Sequence, residues 1–219
     1  EVFTEYQKTE DVIYGNAPDL PFLFLFEWNT VDIDLDIDIY EPAGDTLEDR
    51  PVIVFLHAGA FFSGNNELDD VVDLSISAAK RGYVAVAIDY RLTLQLLFNG
   101  TELNAYLAVM KGIHDLKAAI RYFRKDSETD NIYRIDPDRI YAGGVSAGSI
   151  VAVNAAYLDQ EYEIPSFIAS ELEDVGGMEG ESGNEGYDSS FHGVVNLCGA
   201  VGEYTWIEEN DKPVVSMHG

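Results

Sequence analysis

Val31, Ile33, Leu35, Ile37 and Ile39 alternate with Asp32, Asp34, Asp36 and Asp38. A period of two is the strand period, with one face turned to a core and the other, here acidic, turned to water. A strand with one solvated face predicts antiparallel pairing at a sheet edge. An apolar stretch at residues 22–26 precedes it, and the turn signal Glu41-Pro42-Ala43-Gly44-Asp45 follows it. From Arg50 the pattern changes. Residues 52–56, 84–88, 140–142, 194–197 and 213–217 are short, rich in β-branched side chains and almost continuously apolar. Such runs predict strands buried on both faces, as in a parallel sheet.

Helical signals lie between those runs. Val109, Ile113, Leu116, Ile120 and Phe123 step by four, three, four and three, one stripe of a helix reaching to about Lys125. Val71, Leu74 and Ala78 mark a shorter helix that stops before Arg81-Gly82, and residues 149–158 make a third, rich in Ala and Val. Strands alternating with helices predict right-handed crossovers around a mostly parallel central sheet, an α/β fold with an antiparallel N-terminal edge. The chain reads as one domain over residues 1–219. A loop region of about 160–192 is inserted, whose stretch 171–190 is rich in Gly, Glu and Ser.

The strongest local signal is Gly144-Val145-Ser146-Ala147-Gly148, between a strand and a helix start. That context defines a nucleophile elbow, a sharp turn that exposes a serine hydroxyl. Small residues on either side are needed because the turn brings strand and helix almost into contact. The helix start adds N–H dipoles that favour developing negative charge. A second motif, His57-Ala58-Gly59-Ala60-Phe61-Phe62-Ser63-Gly64, begins where the strand at 52–56 ends. Acyl transfer needs backbone N–H donors around an oxyanion, and small residues let backbone approach closely. Gly59 and Ala60 are therefore candidate donors, with the N–H of Ala147 as a third. His57 reads as a packed structural histidine, since backbone groups do the work in such loops.

These segments resemble the carboxylesterase and lipase group of α/β-hydrolases. That group includes bacterial relatives of carboxylesterase type B and hormone-sensitive-lipase-like esterases. The resemblance runs from about residue 36 to the end, through "HAGAFFSG", "AIDYRL", "DPDRIYAGGVSAGS" and "PVVSMHG". It implies the α/β-hydrolase fold, Ser146 as nucleophile, and an oxyanion hole of Gly59, Ala60 and Ala147. Many relatives carry glycine where this chain has Ala58 and Ala60, and an alanine fits such a loop at negative φ. Asp89-Tyr90-Arg91 resembles the family's "DYR" segment, which braces the oxyanion loop, and a carboxylate beside Arg is expected as a packed ion pair.

A serine needs a base, and the base an acid to orient it. In the family the acid follows the strand matched by residues 213–217, and the histidine comes later still. Here His218-Gly219 ends the sequence. The expectation is a hydrolase sheet without its C-terminal strand or strands. Its exposed edge would favour a homodimer. None of His57, His114, His192 and His218 is placed as a base: His114 sits on a flanking helix and His192 at the amino end of a strand.

The function implied is hydrolysis of small carboxylic esters through an acyl-Ser146 intermediate, with a peptidase or amidase as companion. Residues 94–106 and 171–190 would set acyl preference, and Phe61, Phe62 and Phe98 are either pocket wall or core. The alternative class is a non-catalytic binding protein of the same fold, or an inactive fragment. No cofactor and no metal site is expected, since no His, Cys or acidic spacing suits one.

Composition narrows this further. The chain holds 40 Asp and Glu against 13 Lys and Arg, net −27. Nucleic acid and anionic membrane surfaces are excluded as partners, because both need a basic face. No apolar run is long enough for a membrane span. Cys198 is the single cysteine, so no intrachain disulfide forms. The first residue is Glu1, as after removal of a signal peptide, which favours a secreted or periplasmic bacterial protein over a cytoplasmic one. Self-repulsion of such a surface is screened by salt, which points to a saline habitat. Two readings on one preparation check these expectations. The melting temperature should rise from low to molar NaCl, and light scattering should give the mass of two chains; a flat melting curve or a monodisperse monomer would refute them in turn.

Overall fold

The computed structural model describes residues 2–19 and 30–219, so the apolar stretch at 22–26 lies outside the described residues. The described residues form one sheet in the order β1-β2-β4-β3-β5-β6-β7. Its strands are β1 (Tyr6–Asp19), β2 (Val31–Pro42), β3 (Arg50–Leu56), β4 (Val84–Ile88), β5 (Ile135–Val145), β6 (Val194–Leu197) and β7 (Val214–Met217). β1 and β2 are antiparallel, β2 is antiparallel to β4, and β4, β3, β5, β6 and β7 run parallel. Helices α1 (Asp69–Ala79), α2 (Gln95–Phe98), α3 (Glu102–Glu128), α4 (Ala147–Tyr157) and α5 (Ala169–Glu173) fill the connections.

Both faces of β3, β4, β5 and β6 are covered. Val52, Val54, Leu56, Val84, Val86 and Ile88 pack with Ile113, Leu116, Ile120 and Phe123 of α3 and with Val151 and Ala152 of α4. The alternate residues Ile53, Phe55, Ala85 and Ala87 pack with Val71 and Ala79 of α1. This two-sided burial is why those strands read as continuous apolar runs. The α3 stripe is buried as its spacing predicts, with Val109 partly so.

The antiparallel N-terminal edge forms as expected, with β1 outermost and paired along the whole length of β2 through two bulges. Two other expectations are corrected. The second face of β2 is not uniformly wet. Asp32 and Asp34 are exposed, but Asp38 is 2% exposed, held 2.8 Å from Lys8 Nζ of β1. The burial on both faces expected for residues 213–217 is corrected too: β7 is the outermost strand, and all four of its residues are exposed.

The inserted region lies against α3. His114 Nε2 donates to the Gly177 carbonyl (2.7 Å), Lys117 Nζ to the Met178 carbonyl (2.8 Å) and Glu179 (2.7 Å), and Arg121 Nε to the Gly183 carbonyl (2.9 Å). Arg124 Nη1 reaches Asp188 at 2.6 Å. Asn16 of β1 closes the other side, its N–H donating to the Ser182 carbonyl at 3.1 Å. Burial resists the charge on Glu179, but hydrogen bonding to Lys117 outweighs it and holds the carboxyl below its usual range.

Burial pushes His114 down from 6.5 to about 4. Between those values the unfolded chain binds a proton that the folded chain refuses, so stability falls as pH drops through that window. At roughly 1.4 kcal/mol per unit, the loss reaches about 3 kcal/mol and then levels off. Urea unfolding at stepped pH should show this slope, and His114→Gln, which keeps an N–H for Gly177, should flatten it. An unchanged slope in the variant would place the acid sensitivity elsewhere.

Candidate active site

Ser146 stands between the last residue of β5 and the first of α4, at φ 52° and ψ −114°. A non-glycine residue held there stores on the order of 1–3 kcal/mol of strain. The turn is fixed from both sides. Ser146 N–H donates to the Leu197 carbonyl of β6 (2.9 Å), and Ile150 N–H returns to the Ser146 carbonyl (2.9 Å). A Cβ on Gly148 would lie 2.1 Å from the Leu56 carbonyl oxygen, so only glycine lets α4 approach β3 this closely. Ser146 is exposed, and its hydroxyl makes no hydrogen bond among the described residues.

The loop after β3 is bound to this elbow. His57 carbonyl accepts the Gly148 N–H (3.2 Å) and the Tyr90 hydroxyl (2.9 Å). Ala58 N–H donates to Asp70 of α1 at 3.0 Å. Gly59 adopts φ 132°, and its carbonyl accepts the N–H groups of Phe62 and Ser63, both at 3.1 Å. Phe61 carbonyl accepts the Thr93 N–H at 2.6 Å. Among the described residues the N–H groups of Gly59, Ala60 and Ala147 have no acceptor, and Ala147, first in α4, has none available within its helix. The elbow and the loop are thus one hydrogen-bonded unit.

Negative φ at Ala60 is not what the structure holds. Ala60 has φ 52° and Phe61 φ 67°, two successive non-glycine residues in left-handed backbone. The loop tolerates them because Gly59 and Thr93 clamp it at either end.

The "DYR" segment braces as expected, but through different pairings. Tyr90 stacks on His57, with ring centroids 4.3 Å apart, and bonds its carbonyl. Arg91 pairs with Asp115 of α3 at 2.7 Å rather than with Asp89. Asp89 faces His57 instead, Oδ1 lying 3.6 Å from Nε2. Asp70 and Thr93 are supports that no local sequence pattern marks, apart from the place of Asp70 in the first turn of α1.

The four histidines do not meet Ser146. His57 is fully buried and His114 is bonded to Gly177. His192 N–H bonds the Ile140 carbonyl, six residues before the elbow and so toward the amino end of the parallel strands. His218 follows β7, two strands from β5, about 10 Å away at the usual strand spacing. A cavity of about 450 Å3 lies between the ends of β1 and β2, α3 and α5. It is lined by Pro18, Arg91, Met110 and Leu172 but by none of the elbow or loop donors. Among the described residues no cluster of His, Cys, Asp and Glu is arranged for a metal, and no helix is long and apolar enough to cross a membrane.

Against known proteins, residues 37–212 match the BD-FAE family model. The chain belongs to the BD-FAE family. This is an α/β-hydrolase esterase family, and the sheet described above has that fold. Para-nitrobenzyl esterase of Bacillus subtilis (strain 168) is 29% identical over 128 residues, 56% of this chain and 25% of that protein. Est2, an esterase of the Planctomycetes species Thermogutta terrifontis, is similar in its butyrate-bound structure, at 25% identity and TM-score 0.54 over 76% of this chain and 49% of Est2. The form of that esterase phosphonylated by cyclosarin superposes with TM-score 0.64 at 21% identity, over 95% of this chain and 70% of the other. The chain therefore spans a quarter of the length of the curated relative and about half of the first of these structures.

For this BD-FAE chain, Ala60→Gly should relieve left-handed strain while adding freedom to the unfolded chain. The expected net gain is up to about 1 kcal/mol, measured by urea unfolding. A loss of stability would mean that the alanine methyl makes a contact outweighing its strain.

Proposed function

We propose that this chain is a serine carboxylesterase acting on small carboxylic esters through an acyl-Ser146 intermediate. The observation that carries this reading is the strained, exposed Ser146 hydrogen-bonded as one unit with a loop whose Gly59 and Ala60 N–H groups are unused. With Ala147 N–H they form a three-donor oxyanion hole. Such donors act on charge that appears only in the transition state, and one of them typically supplies a factor of roughly 10²–10³. A binding protein has no use for a serine held in strain, so the geometry favours the hydrolase over the binding alternative.

The names of the relatives point the same way. Est2 is phosphonylated by cyclosarin and, in another structure, phosphorylated by paraoxon, reactions that need a nucleophilic side chain. Attack by Ser146 also needs a base, which none of the four histidines supplies by geometry. The oxyanion hole and binding alone retain roughly 10³–10⁴-fold catalysis over water, and the 219-residue chain is expected to work at that level. The reading extends to an enzyme of saline surroundings, supported by the net charge of −27, whose self-repulsion salt screens.

A fluorophosphonate probe tests the nucleophile directly. Slow stoichiometric modification mapping to Ser146, absent in Ser146→Ala, is the expected result. A folded chain that takes up no probe would overturn the esterase reading in favour of a binding protein.

A further inference from the structure

We propose that Ser149 and Asn196 are positioning residues, a buried hydroxyl–amide pair that holds the end of β6 against α4 and so fixes the carbonyl to which Ser146 is tied. The effect on reactivity rests on the esterase reading, but the hold on the Ser146 backbone stands on the hydrogen bonds alone.

Ser149 is the third residue of α4, wholly buried, and directly follows the Gly144–Gly148 elbow. A serine inside a helix commonly turns its hydroxyl back to the backbone of its own helix. This one crosses to β6 instead. Its Oγ accepts the Leu197 N–H at 3.0 Å and donates to Asn196 Oδ1 at 2.5 Å. The directions are forced. Leu197 N–H can only donate, which leaves the hydroxyl proton for Asn196. Gly199 N–H donates to the same Oδ1 at 2.7 Å, which identifies that atom as the amide oxygen. The amide nitrogen therefore faces β7, where it donates to Ser216 Oγ at 3.1 Å, with His218 Nε2 3.5 Å away. Asparagine is disfavoured in strands and costly to bury unbonded. Here the side chain is 6% exposed, and both its oxygen and its nitrogen are bonded.

Leu197 links this pair to the nucleophile. Its carbonyl accepts the Ser146 N–H at 2.9 Å, while its own N–H is held by Ser149. One residue of β6 is thus gripped from both ends of the first turn of α4, by Ser146 and by Ser149. Ser146 lies at φ 52° and ψ −114°, a backbone that persists only where its surroundings over-determine it. The Gly148 contact supplies that constraint from β3. The Ser149–Asn196 pair supplies it from β6, on the opposite side of β5. The corner is also closed: a Cβ on Gly199 would lie 2.6 Å from Ser149 Oγ and 2.7 Å from Asn196 Oδ1. Removing the hydroxyl takes the side-chain acceptor from Leu197 N–H and the hydroxyl donor from Asn196 Oδ1, both in a buried place. The Leu197 carbonyl then loses its fixed height, and Ser146 can relax out of its strained turn.

Fluorophosphonate labelling of the full chain over a range of probe concentrations separates probe affinity, KI, from the maximal rate, kinact. Ser149→Ala should lower kinact about tenfold with KI unchanged, and Ser149→Thr, which restores the hydroxyl, should recover most of that rate. Urea unfolding of each variant confirms that labelling is read on folded chain. Amide hydrogen exchange gives the second reading: the Ser146 N–H should be protected in the unmodified chain and exchange about tenfold faster in Ser149→Ala. A folded Ser149→Ala with unchanged kinact overturns the proposal. If Ser149→Ala fails to fold, the unmodified chain still decides, since a freely exchanging Ser146 amide overturns the hold and a protected one supports it. Absence of labelling in every variant would sink the esterase reading, and exchange at Ser146 in Ser149→Ala then decides the positioning role by itself.

Discussion

The approach of α4 to the end of β3 governs the geometry of the candidate site. Gly148 lies so close to the Leu56 and His57 carbonyls that no side chain fits between them, and its N–H bonds His57. That contact forces the tight turn in which Ser146 takes its strained backbone. It also pins the first residue of the oxyanion loop to the helix that follows the nucleophile. Nucleophile and donors are therefore not two features that happen to be adjacent. Moving α4 by even a methyl group would shift Ser146 and the loop together, because cores and close contacts transmit displacement rather than absorb it.

Electrostatics shapes the molecule at a second level. With 13 Lys and Arg against 40 Asp and Glu, cations are scarce, and five of them, Lys111, Lys117, Arg121, Arg124 and Lys125, lie on α3. Apart from Lys111, which pairs with Asp19, they hold the inserted region, largely through backbone carbonyls as well as through carboxylates. A segment rich in glycine and acid has little apolar surface of its own, and these donors supply the order that packing cannot. The reverse of that arrangement is the corner behind the oxyanion loop, where among the described residues no Lys or Arg pairs with Asp36, Asp70 or Asp89.

The frame of the fold was legible because its signals are local and repeated. Near-continuous apolar runs marked β3 through β7, and the stripe from Val109 to Phe123 marked α3, including the face it buries. Ser146 was legible because an elbow needs particular small residues at fixed positions around it. β1 was not: its sequence mixes Lys, Glu and Asp with few apolar positions, and two bulges break the strand period. The burial of Asp38 depends on Lys8, thirty positions away in sequence, and no local pattern reports such a pairing. The docking of residues 176–190 on α3 was hidden for the same reason, since its partners are backbone carbonyls, which have no sequence identity.

The backbone of the oxyanion loop shows where sequence reasoning fails for a physical cause rather than for want of a cue. An alanine in place of glycine argues for negative φ, because the side chain disfavours left-handed backbone by roughly 1–2 kcal/mol. Ala60 and Phe61 both accept that cost. The compensation is non-local: Gly59 caps the turn from within, Thr93 holds Phe61 from the segment after β4, and Asp70 holds Ala58 from α1. Two elements distant in sequence each contribute one hydrogen bond and Gly59 contributes two, together enough to outweigh two unfavourable residues at about 1 kcal/mol per bond. Strain on both sides of the Gly148 contact is thus sustained by bonds to the rest of the sheet, which is why it gathers around Ser146 and the unused N–H groups.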